Sequence, residues 1–343
     1  MSVQVCAPAR LHLGFLDLNG SSGRKFGSIG LAIDSHQTVI EAQIADRLRF
    51  NGIAPIATQQ KVAQLVSQFY SSIGQHIPED QRGVAITFKQ LIPEHSGLGS
   101  GTQLALSVGT ALAKLHTICC TTPQIAAALG RGARSGIGIT TFDQGGFVVD
   151  AGLTEQSLVP ALIAHYTFPE QWRIVLIMDP QHQGVHGTQE NNAFKELPTF
   201  PITHSHAICH LTLMTLLPAL VEQNIQCFGE AVSAIQQLIG DHFAPAQGGR
   251  YTSNLVASLL DYSQKLGHSG IAQSSWGPTG CVFVENEDSA QNLVTALQQH
   301  AKKQFDTDHK ITFCIAKANA NGANIDMITS KKHSEHSIRN THD

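Results

Sequence analysis

The chain has 343 residues, of which 42% are hydrophobic and 14% charged, and its formal net charge is −4. This composition is typical of a well-packed globular protein of about two domains and excludes a largely disordered chain. The small negative charge, with no dense cluster of lysine or arginine, argues against a nucleic-acid partner. The composition does not exclude small phosphorylated ligands, because their binding needs only a few local hydrogen-bond donors.

Seven cysteines are scattered along the chain, and none of them forms a Cys-x-x-Cys pair. An odd number at irregular spacing argues against a zinc knot or a disulfide framework, so we expect free thiols in a reducing cytoplasm. The N-terminus begins in strand-like sequence without a signal peptide, and we expect no apolar run of the roughly 18–20 residues that a membrane span needs. The sequence therefore predicts a soluble cytoplasmic protein with no membrane partner.

The first half of the chain is predicted to be rich in strands. Alternating or continuous apolar runs predict strands at 3–7, 10–15, 28–33, 38–44, 83–90 and 145–152. Apolar residues at helical spacing predict helices at 59–73, 104–115 and 123–129. Thr121 or Thr122 is expected to cap the third helix, with Pro123 in its first turn.

The second half opens with a continuous apolar strand, Arg173–Asp179. Further on, the pattern predicts helices at 204–222, 225–240, 252–266 and 288–300, and strands at 271–275, 281–285 and 311–316. This late alternation predicts an α+β lobe of the split βαβ type. We place the two domains at 1–165 and 166–329, and expect residues 330–343 to form a polar, disordered tail.

The run Pro93–Gln103 follows a predicted strand and leads into a predicted helix. Its glycines allow backbone to approach a ligand, and the first N–H groups of a helix have no partner within it. Together with the helix dipole, these features favour a phosphate site, although an ordinary N-cap in a tight turn is the alternative. The predicted phosphate contacts are Gly97, Leu98, Gly99, Ser100, Gly101 and Thr102.

Three arginines are candidates for binding anions. On a helix, Arg131 and Arg134 would share a side, and two guanidinium groups there suit a phosphate or carboxylate. Two solvated arginines at a helix end are the alternative. Arg10, just after Pro8, can bind a carboxylate or a phosphate, or form an ordinary surface ion pair.

A late turn, Ser274–Gly280, joins two predicted strands. Its Ser275, Gly277 and Thr279 can line a ligand, and Trp276 can stack on an aromatic acceptor or be buried where two lobes meet. His12 lies between two leucines on an alternating strand, so it faces either the core or the cleft. Asp143 precedes two glycines and is either a catalytic or metal-binding carboxylate or a turn residue, and Asp17 is a weaker candidate.

Three of these motifs together resemble the GHMP superfamily of small-molecule kinases: Pro8-Ala9-Arg10, the run from Pro93 to Ser100, and the late glycine-containing turn. The resemblance covers about residues 3 to 320. It implies an α+β fold with an N-terminal domain like domain 2 of a ribosomal protein, a ferredoxin-like C-terminal domain, and a site in the cleft between them. It also implies a catalytic role for Asp143, which falls where these kinases carry a catalytic aspartate.

Details of the motifs resemble one family within this superfamily, the β-ribofuranosylaminobenzene 5′-phosphate synthases. The glycine loop ends in Ser100-Gly101-Thr102 where kinases have Ser-Ser-Ala. The late turn is Trp276-Gly277-Pro278-Thr279, and the Arg131–Gly138 segment also matches. The resemblance implies a homodimeric enzyme whose Arg10, Arg134 and Asp143 act in catalysis.

The reaction implied by this resemblance joins phosphoribosyl pyrophosphate (PRPP) to 4-aminobenzoate or 4-hydroxybenzoate, with release of CO2 and pyrophosphate. It is the first step of methanopterin biosynthesis. Mg²⁺ is expected to bind with the pyrophosphate of PRPP, and the sequence identifies no metal ligand on the protein. The alternatives are an ATP-dependent kinase of this superfamily and a non-catalytic phosphate-binding regulator.

Overall fold

Two β-sheets with helices packed against them form the α+β fold of the chain. The computed structural model describes residues 1–184, 187–305 and 310–328. One sheet has seven strands and the other has four. The tail predicted at 330–343 lies outside the described residues.

The seven-stranded sheet is formed mainly by the first half of the chain. Its strands are β1 (Ser2–Asp17), β2 (Phe26–Ile44), β3 (Arg49–Gly52), β4 (Val84–Gln90), β5 (Phe147–Asp150), β6 (Leu162–Tyr166) and β11 (Asn324–Ile328). They pair in the order β11-β1-β2-β4-β3, and β5 pairs with β2 and with β6. The helices of this half are α1 (Ile56–Ser71), α2 (Ser100–Leu115), α3 (Thr122–Ala128) and α4 (Ile137–Asp143).

The long strands β1 and β2 each join two strands that the sequence predicts separately. Pro8 lies at a shift in register between β1 and β2 and does not end the strand. A proline has no N–H to donate, so a sheet tolerates it at such an irregularity. The predicted cap of α3 is confirmed, because the Thr121 side chain accepts from the Gln124 amide and forms a capping box.

The four-stranded sheet has the ferredoxin-like arrangement. Its strands are β7 (Arg173–Met178), β8 (Gly270–Gln273), β9 (Thr279–Val284) and β10 (Thr312–Ala316), all antiparallel in the order β10-β7-β9-β8. The helices of this half are α5 (Gly187–Glu196), α6 (Ile202–Leu211), α7 (Leu217–Val221), α8 (Ile225–Gln247), α9 (Asn254–Lys265) and α10 (Glu287–Gln304). This arrangement confirms the predicted fold class.

The last described strand belongs to the first sheet. β11 pairs antiparallel with β1, with Ser2 opposite Ile328. The predicted C-terminal unit, 166–329, thus contains a strand that pairs in the sheet of the first half and supplies hydrogen bonds along the free edge of β1. The sequence does not predict this strand or its pairing, because the segment is short and mostly exposed.

A single hydrophobic core joins the two sheets. It contains Leu11 and Leu13 of β1 together with Trp172, Phe228 of α8 and Phe283 of β9, each at most 3% exposed. Separate clusters fill the rest of each half. Because burial of apolar side chains is the main favourable term in folding, this shared core holds the two halves at a fixed distance across the cleft.

One helical stretch is more apolar than the sequence analysis expects. Residues Ile202–Val221 form a helix that is long and apolar enough to cross a membrane, so the expectation that no such run exists is wrong. Its Ile208, Leu216 and Leu220 lie in the core shared by the two sheets. Burial of one face in this way is typical of a helix that packs on the core of a globular domain.

The loop between β4 and α2 lies directly against the turn between β8 and β9. A Cβ atom on Gly277 would lie far inside van der Waals contact with the backbone of Gly97, and one on Gly97 would do the same with the Ser274 carbonyl. The Ser274 hydroxyl donates to the Gly97 carbonyl at 2.7 Å and accepts from the His12 amide at 3.0 Å. The close backbone contact and the Ser274 hydroxyl thus join the loop, the turn and β1.

Asp150, at the end of β5, organises the segment that carries Arg131 and Arg134. Its carboxylate is fully buried and accepts from the amides of Gly136, at 2.9 Å, and Gly152, at 2.8 Å. Burial raises the pKa of Asp150 to about 6, although the two amide donors oppose this rise.

Gly277→Ala tests the contact between loop and turn. The added methyl group would overlap backbone atoms, which cannot move as a side chain can, so we expect a loss of roughly 1–3 kcal/mol in the free energy of unfolding. Gly249→Ala is the matched control, since a Cβ there meets only the Tyr251 carbonyl at 3.6 Å. Urea denaturation of both variants measures the effect, and equal stability of the two would contradict the contact.

The raised pKa of Asp150 predicts a pH-dependent stability. In the folded chain this carboxyl holds its proton up to about pH 6, whereas its unperturbed pKa is 3.8. The folded state therefore binds more protons in this window, and the contribution of Asp150 to stability falls by about 2 kcal/mol as the pH rises from 4 to 6. Asp150→Asn has no such proton, so its stability deficit against the native chain should narrow over the same window. Chemical denaturation at several pH values measures this, and a constant deficit is the contrary result.

Candidate functional site

A cavity opens where the glycine loop, the late turn and β1 meet. Its volume is about 270 Å³. It is lined by Arg10, His95, Gly97, Gly99, Ser100, Gly101, Thr102, Arg131, Ser275, Trp276 and Gly277. The structure thus gathers in one place ten of the fourteen residues that the sequence analysis selected.

The first turn of α2 borders this cavity. Gly99 is the N-cap residue with φ of 85°, a left-handed conformation that glycine adopts without strain. The first helical bonds run from the amides of Thr102 and Gln103 to the Gly99 carbonyl, both at 3.1 Å. The leading amides of the helix, at Ser100 and Gly101, precede these bonds and sit at the positive end of its dipole. This geometry suits a phosphate group.

Arg10 is held against the glycine loop by both its backbone and its side chain. Its amide donates to the Leu98 carbonyl at 3.1 Å, and its guanidinium donates to the Gly97 carbonyl. Because β1 is a central strand, these bonds fix the position of the guanidinium at the cavity wall. Arg10 therefore lies where it can bind an anion in the cavity, one of the two roles that the sequence left open.

Arg131 contributes a second guanidinium to the wall of the cavity. It lies in a loop, so it does not share a helix face with Arg134 as the spacing suggested. Its Nε is buried and has no hydrogen-bond partner among the described residues. Burial lowers the pKa of this guanidinium, which nonetheless stays charged because arginine is not deprotonated in proteins. A partly buried cation whose buried Nε has no partner among the described residues indicates an anionic ligand.

The structure does not bring Arg134 and Asp143 to this cavity. The guanidinium carbon of Arg134 lies 4.8 Å from the centre of the Phe194 ring, over its face. Asp143 is exposed at the end of α4 and accepts a 2.6 Å hydrogen bond from the Thr122 hydroxyl. Its position corresponds to the turn residue that the sequence left open, and the catalytic interpretation has no geometric support.

Two further predicted contacts lie in the core. Leu98 is completely buried in the core shared by the two sheets, with its side chain away from the cavity lining. Thr279 is also fully buried, as part of β9.

His95 is a cavity residue that the sequence analysis did not select. It lies inside the glycine run, so its position in the motif was the available signal. His95 and Ser275 are both non-glycine residues with φ of 58°, and both line the cavity. Such a backbone conformation is unfavourable for a residue with a side chain, and strain of this kind clusters at functional sites.

A second, smaller cavity adjoins the first and shares Ser275 and Trp276 with it. Its volume is about 30 Å³. Aromatic rings surround it: the Trp276 ring centre lies 4.3 Å from that of Phe243, and the His12 ring centre lies 4.7 Å from that of Phe15. His12 therefore faces the cleft side of β1, one of the two orientations that the sequence left open. Trp276 is both buried between the lobes and part of the site.

His12 is uncharged in this environment. Burial, together with the nearby Arg10 guanidinium, lowers its pKa to about 3. The other weak candidate, Asp17, accepts from the Asn19 and Gly20 amides and from the Ser205 hydroxyl, so its carboxylate is used within a turn.

The described residues contain no group of three or more histidines, cysteines, aspartates or glutamates placed to hold a metal ion. The ionic side chains that line the larger cavity in the described part of the chain, Arg10 and Arg131, are both cationic. The site thus attracts negative charge through its arginines and backbone amides.

Comparison with known families places both halves of the chain in one superfamily. Residues 60–148 match the GHMP kinases N-terminal domain, and residues 216–303 match the GHMP kinases C-terminal family. The first match contains the glycine loop and α4, and the second contains the late turn. The predicted two-domain fold of this superfamily is thereby confirmed.

Solved structures with the same fold include members of different enzyme classes. Homoserine kinase from Cytophaga hutchinsonii superposes with a TM-score of 0.65 at 15% identity, over 94% of this chain and 97% of its own. Mevalonate diphosphate decarboxylase from Staphylococcus aureus superposes with a TM-score of 0.66 at 13% identity, over 95% of this chain and 98% of its own. At this level of identity the likeness concerns the fold alone.

Curated relatives are more similar in sequence. A beta-ribofuranosylphenol 5′-phosphate synthase from Archaeoglobus fulgidus is 33% identical over 334 residues, which cover 93% of this chain and 98% of that protein. The enzyme of the same name from Methanothermobacter thermautotrophicus is 31% identical, over 85% of this chain and 91% of its own. On this evidence the chain belongs to the beta-ribofuranosylphenol 5′-phosphate synthase family of the GHMP superfamily.

Proposed function

We propose that this chain is a phosphoribosyltransferase that joins PRPP to a 4-substituted benzoate and releases CO2 and pyrophosphate. The acceptor is 4-hydroxybenzoate or 4-aminobenzoate, and the reaction opens methanopterin biosynthesis. The observation that carries the proposal is the juxtaposition of an anion cavity, bordered by α2 and Arg131, with the aromatic wall at Trp276. The family relatives, which are named as synthases, support the same chemistry.

The larger cavity suits the pyrophosphate of PRPP. The leading amides of α2 and the two guanidinium groups are donors fixed in place before any ligand binds. Negative charge grows on the pyrophosphate as its bond to the ribose breaks, and donors already aimed at that charge stabilise the transition state. The unused Nε of Arg131 is available for one of these bonds.

The aromatic acceptor would lie beside Trp276, between the two cavities. The ring carbon that carries the carboxylate attacks the anomeric carbon of the ribose, so that a carbon–carbon bond forms as the bond to pyrophosphate breaks. The carbon–carbon bond to the carboxylate then breaks and CO2 leaves. The electron pair of the broken bond stays with the ring and restores its aromaticity. The reaction releases no net proton. The task of the protein is therefore to position the two substrates relative to each other and to stabilise the pyrophosphate.

Mg²⁺ enters this proposal as part of the PRPP substrate complex. Hard divalent cations of this kind prefer carboxylate and phosphate oxygens. The described lining of the cavity offers hydroxyl groups of Ser100, Thr102 and Ser275 but no carboxylate, so these residues do not fit a magnesium ion held by the protein. Pyrophosphate oxygens are then its main ligands.

An ATP-dependent kinase on the same fold is the second candidate, favoured by the superfamily match and the similar kinase structures. Kinase chemistry needs a residue to accept the proton of the alcohol that attacks. The sequence offered Asp143 for this role, but its carboxylate is exposed and bonded to Thr122. We therefore favour the synthase. We also propose, from the family resemblance, that the enzyme is a cytoplasmic homodimer.

A single assay tests the proposal. The purified chain is incubated with PRPP, Mg²⁺ and either 4-hydroxybenzoate or 4-aminobenzoate labelled in the carboxyl group. We expect labelled CO2 and pyrophosphate in equal amounts. A reaction without PRPP, and one with ATP in its place, serve as controls. Phosphorylation of an alcohol acceptor by ATP, with no CO2 released from either acid, would show a kinase instead.

The role given to Arg131 can be tested separately. Arg131→Ala removes a fixed donor from the pyrophosphate, and we expect kcat/KM for PRPP to fall roughly a hundredfold. Arg131→Lys keeps the charge without the planar fork, so its loss should be intermediate. We expect a smaller loss for Arg134→Ala, because that guanidinium lies over Phe194 and not on the cavity wall.

Arg49→Ala is the control for these arginine variants, since Arg49 pairs with Asp46 at the surface. Its kinetics should equal those of the native enzyme. If Arg131→Ala behaved like Arg49→Ala, Arg131 would have no part in binding PRPP.

A further inference from the structure

Five consecutive backbone amides in the glycine loop donate no hydrogen bond to any described residue. They belong to residues 97–101, the end of the loop and the first turn of α2. All of these residues except Leu98, whose side chain lies in the core, line the larger cavity. Backbone amides of a folded protein normally pair with a carbonyl, a side chain or water. An unpaired run of this length beside a cavity therefore indicates a ligand that accepts hydrogen bonds.

The carbonyl groups of the same stretch, in contrast, are paired. The Leu98 carbonyl accepts from the Arg10 amide at 3.1 Å, and the Gly99 carbonyl accepts from two amides of α2, also at 3.1 Å. No cis peptide bond occurs among the described residues, and in a trans peptide the N–H of one residue points away from the C=O of the residue before it. The bonds to these two carbonyls therefore determine the direction of the Gly99 and Ser100 amides.

The Gly97 carbonyl is held by two side chains. It accepts from the Ser274 hydroxyl at 2.7 Å and from the Arg10 guanidinium. Because the Leu98 amide belongs to the same peptide plane, these two donors determine its direction. One of the donors comes from the first half of the chain and the other from the second half.

The backbone angles of the loop also suit an anion. Gly97 and Gly99 both have φ of 85°, and the φ of Leu98 between them is not positive. A change in the sign of φ between neighbouring residues brings successive N–H groups to the same side of the chain, where they form a concave anion site. Glycine adopts this angle without strain, but it also rotates to other conformations more readily than any other residue. Such a loop needs bonds that keep each peptide plane in place.

Ser274 is fixed at each of its polar groups. Its side chain is completely buried, and its hydroxyl accepts from the His12 amide at 3.0 Å. Its own amide donates to the Thr279 carbonyl at 2.9 Å, and its carbonyl accepts from the Gly277 amide at 3.2 Å. A hydroxyl has one proton to donate. With these bonds in place, that proton is directed at the Gly97 carbonyl.

The two donors to the Gly97 carbonyl differ in their relation to a ligand. The Arg10 side chain lines the cavity, so an anion bound there competes with the carbonyl for the same guanidinium. Ser274 is not part of the cavity lining and has no exposed surface, so its bond to the carbonyl persists when an anion binds. The hydroxyl is therefore the donor that holds this peptide plane in the bound state.

We propose that Ser274 is a positioning residue for the pyrophosphate of PRPP. Its hydroxyl fixes the peptide between Gly97 and Leu98, so that the amides of residues 98–101 stay directed at the anion. This inference rests on the proposed function, since it assigns the residue that prepares the pyrophosphate end of the same site. Ser274 does not touch the substrate and acts through the loop.

Loss of the hydroxyl affects both binding and catalysis. Without it, the peptide after Gly97 can rotate, and a rotated carbonyl would present its partial negative charge to the pyrophosphate. Because the charge on the pyrophosphate increases as its bond to the ribose breaks, this repulsion is larger in the transition state than in the ground state. Variants of Ser274 should therefore lower kcat as well as raise KM for PRPP, and leave KM for the aromatic acid unchanged.

The test compares the native enzyme with Ser274→Ala and Ser274→Cys, with kcat and KM measured for PRPP and for the acid. For Ser274→Ala we expect kcat/KM for PRPP to fall on the order of tenfold, the effect of one hydrogen bond. A thiol is a weak donor of similar size, so Ser274→Cys should retain part of the activity. Thermal denaturation shows first that each variant is folded, and Ser274→Cys decides the matter if Ser274→Ala does not fold.

Ser263→Ala is the matched control. Ser263 is also completely buried, and its hydroxyl donates to the Leu259 carbonyl at 2.9 Å, within α9. The control thus removes the same kind of bond from a part of the fold that does not border the cavity. It should lower stability to a similar extent and leave both KM values and kcat unchanged.

Binding of inorganic pyrophosphate with Mg²⁺ is measured by calorimetry on the same proteins, without any substrate. We expect its affinity to fall on the order of tenfold in Ser274→Ala and to stay unchanged in Ser263→Ala. Hydrogen exchange at saturating pyrophosphate adds a local readout. The ligand should protect the amides of residues 98–101 in the native protein and protect them less in Ser274→Ala.

The outcomes separate this inference from the proposed function. Equal pyrophosphate affinity and equal kcat/KM for PRPP in the native enzyme and a folded Ser274 variant would overturn the inference and leave the synthase proposal standing. The same loss in Ser263→Ala would also overturn it, since the effect would then be one of general stability. A native enzyme that releases CO2 from neither acid would overturn the proposed function. In that case weaker pyrophosphate binding in the Ser274 variants alone would still support the positioning role, and a native protein that does not bind pyrophosphate would remove it.

Discussion

Backbone packed directly against backbone, where the glycine loop meets the turn 274–277, is the constraint on which the site depends. Gly97 and Gly277 leave no room for a side chain between them, and Ser274 ties the loop to β1 through its hydroxyl. Because the loop comes from one half of the chain and the turn from the other, the larger cavity exists only when both halves are folded together. The shared core around Phe228 supplies the apolar burial that holds them there.

Most elements of the fold follow from local sequence patterns. The continuous apolar run of β7 and the capping box at Thr121 are examples in which the local signal and the structure agree. The strands β3, β6 and β11 were not predicted, because they are short and lie mostly at the exposed margins of the sheet. The pairing of β11 with β1 joins the two ends of the described chain, and contacts over such a distance leave no periodic pattern in the sequence.

The residues of the candidate site also differ in how well the sequence predicts them. Residues that act through backbone, such as Gly99 and Gly277, are visible as glycines in a motif, since a tight approach requires glycine. The sequence does not show which arginine lines the cavity, because Arg131 and Arg134 lie in an irregular loop without a helical or strand period. The sequence does not identify Phe243 as part of the aromatic wall, because it is one of several apolar residues on a long helix. Motifs therefore locate the phosphate end of such a site better than its acceptor end.

Strand β1 contributes one side chain to each of the two cavities, Arg10 to the larger and His12 to the smaller. Arg10 and His12 are two residues apart in a stretch where the pairing with β2 is regular, so both side chains face the cleft while Leu11 and Leu13 enter the core. At a rise of about 3.3 Å per residue, the Cα atoms of Arg10 and His12 lie about 6.6 Å apart along the strand. A residue inserted between them would turn one of the two toward the core. The pleat of this one strand thus determines which side chains β1 presents to the two adjoining cavities.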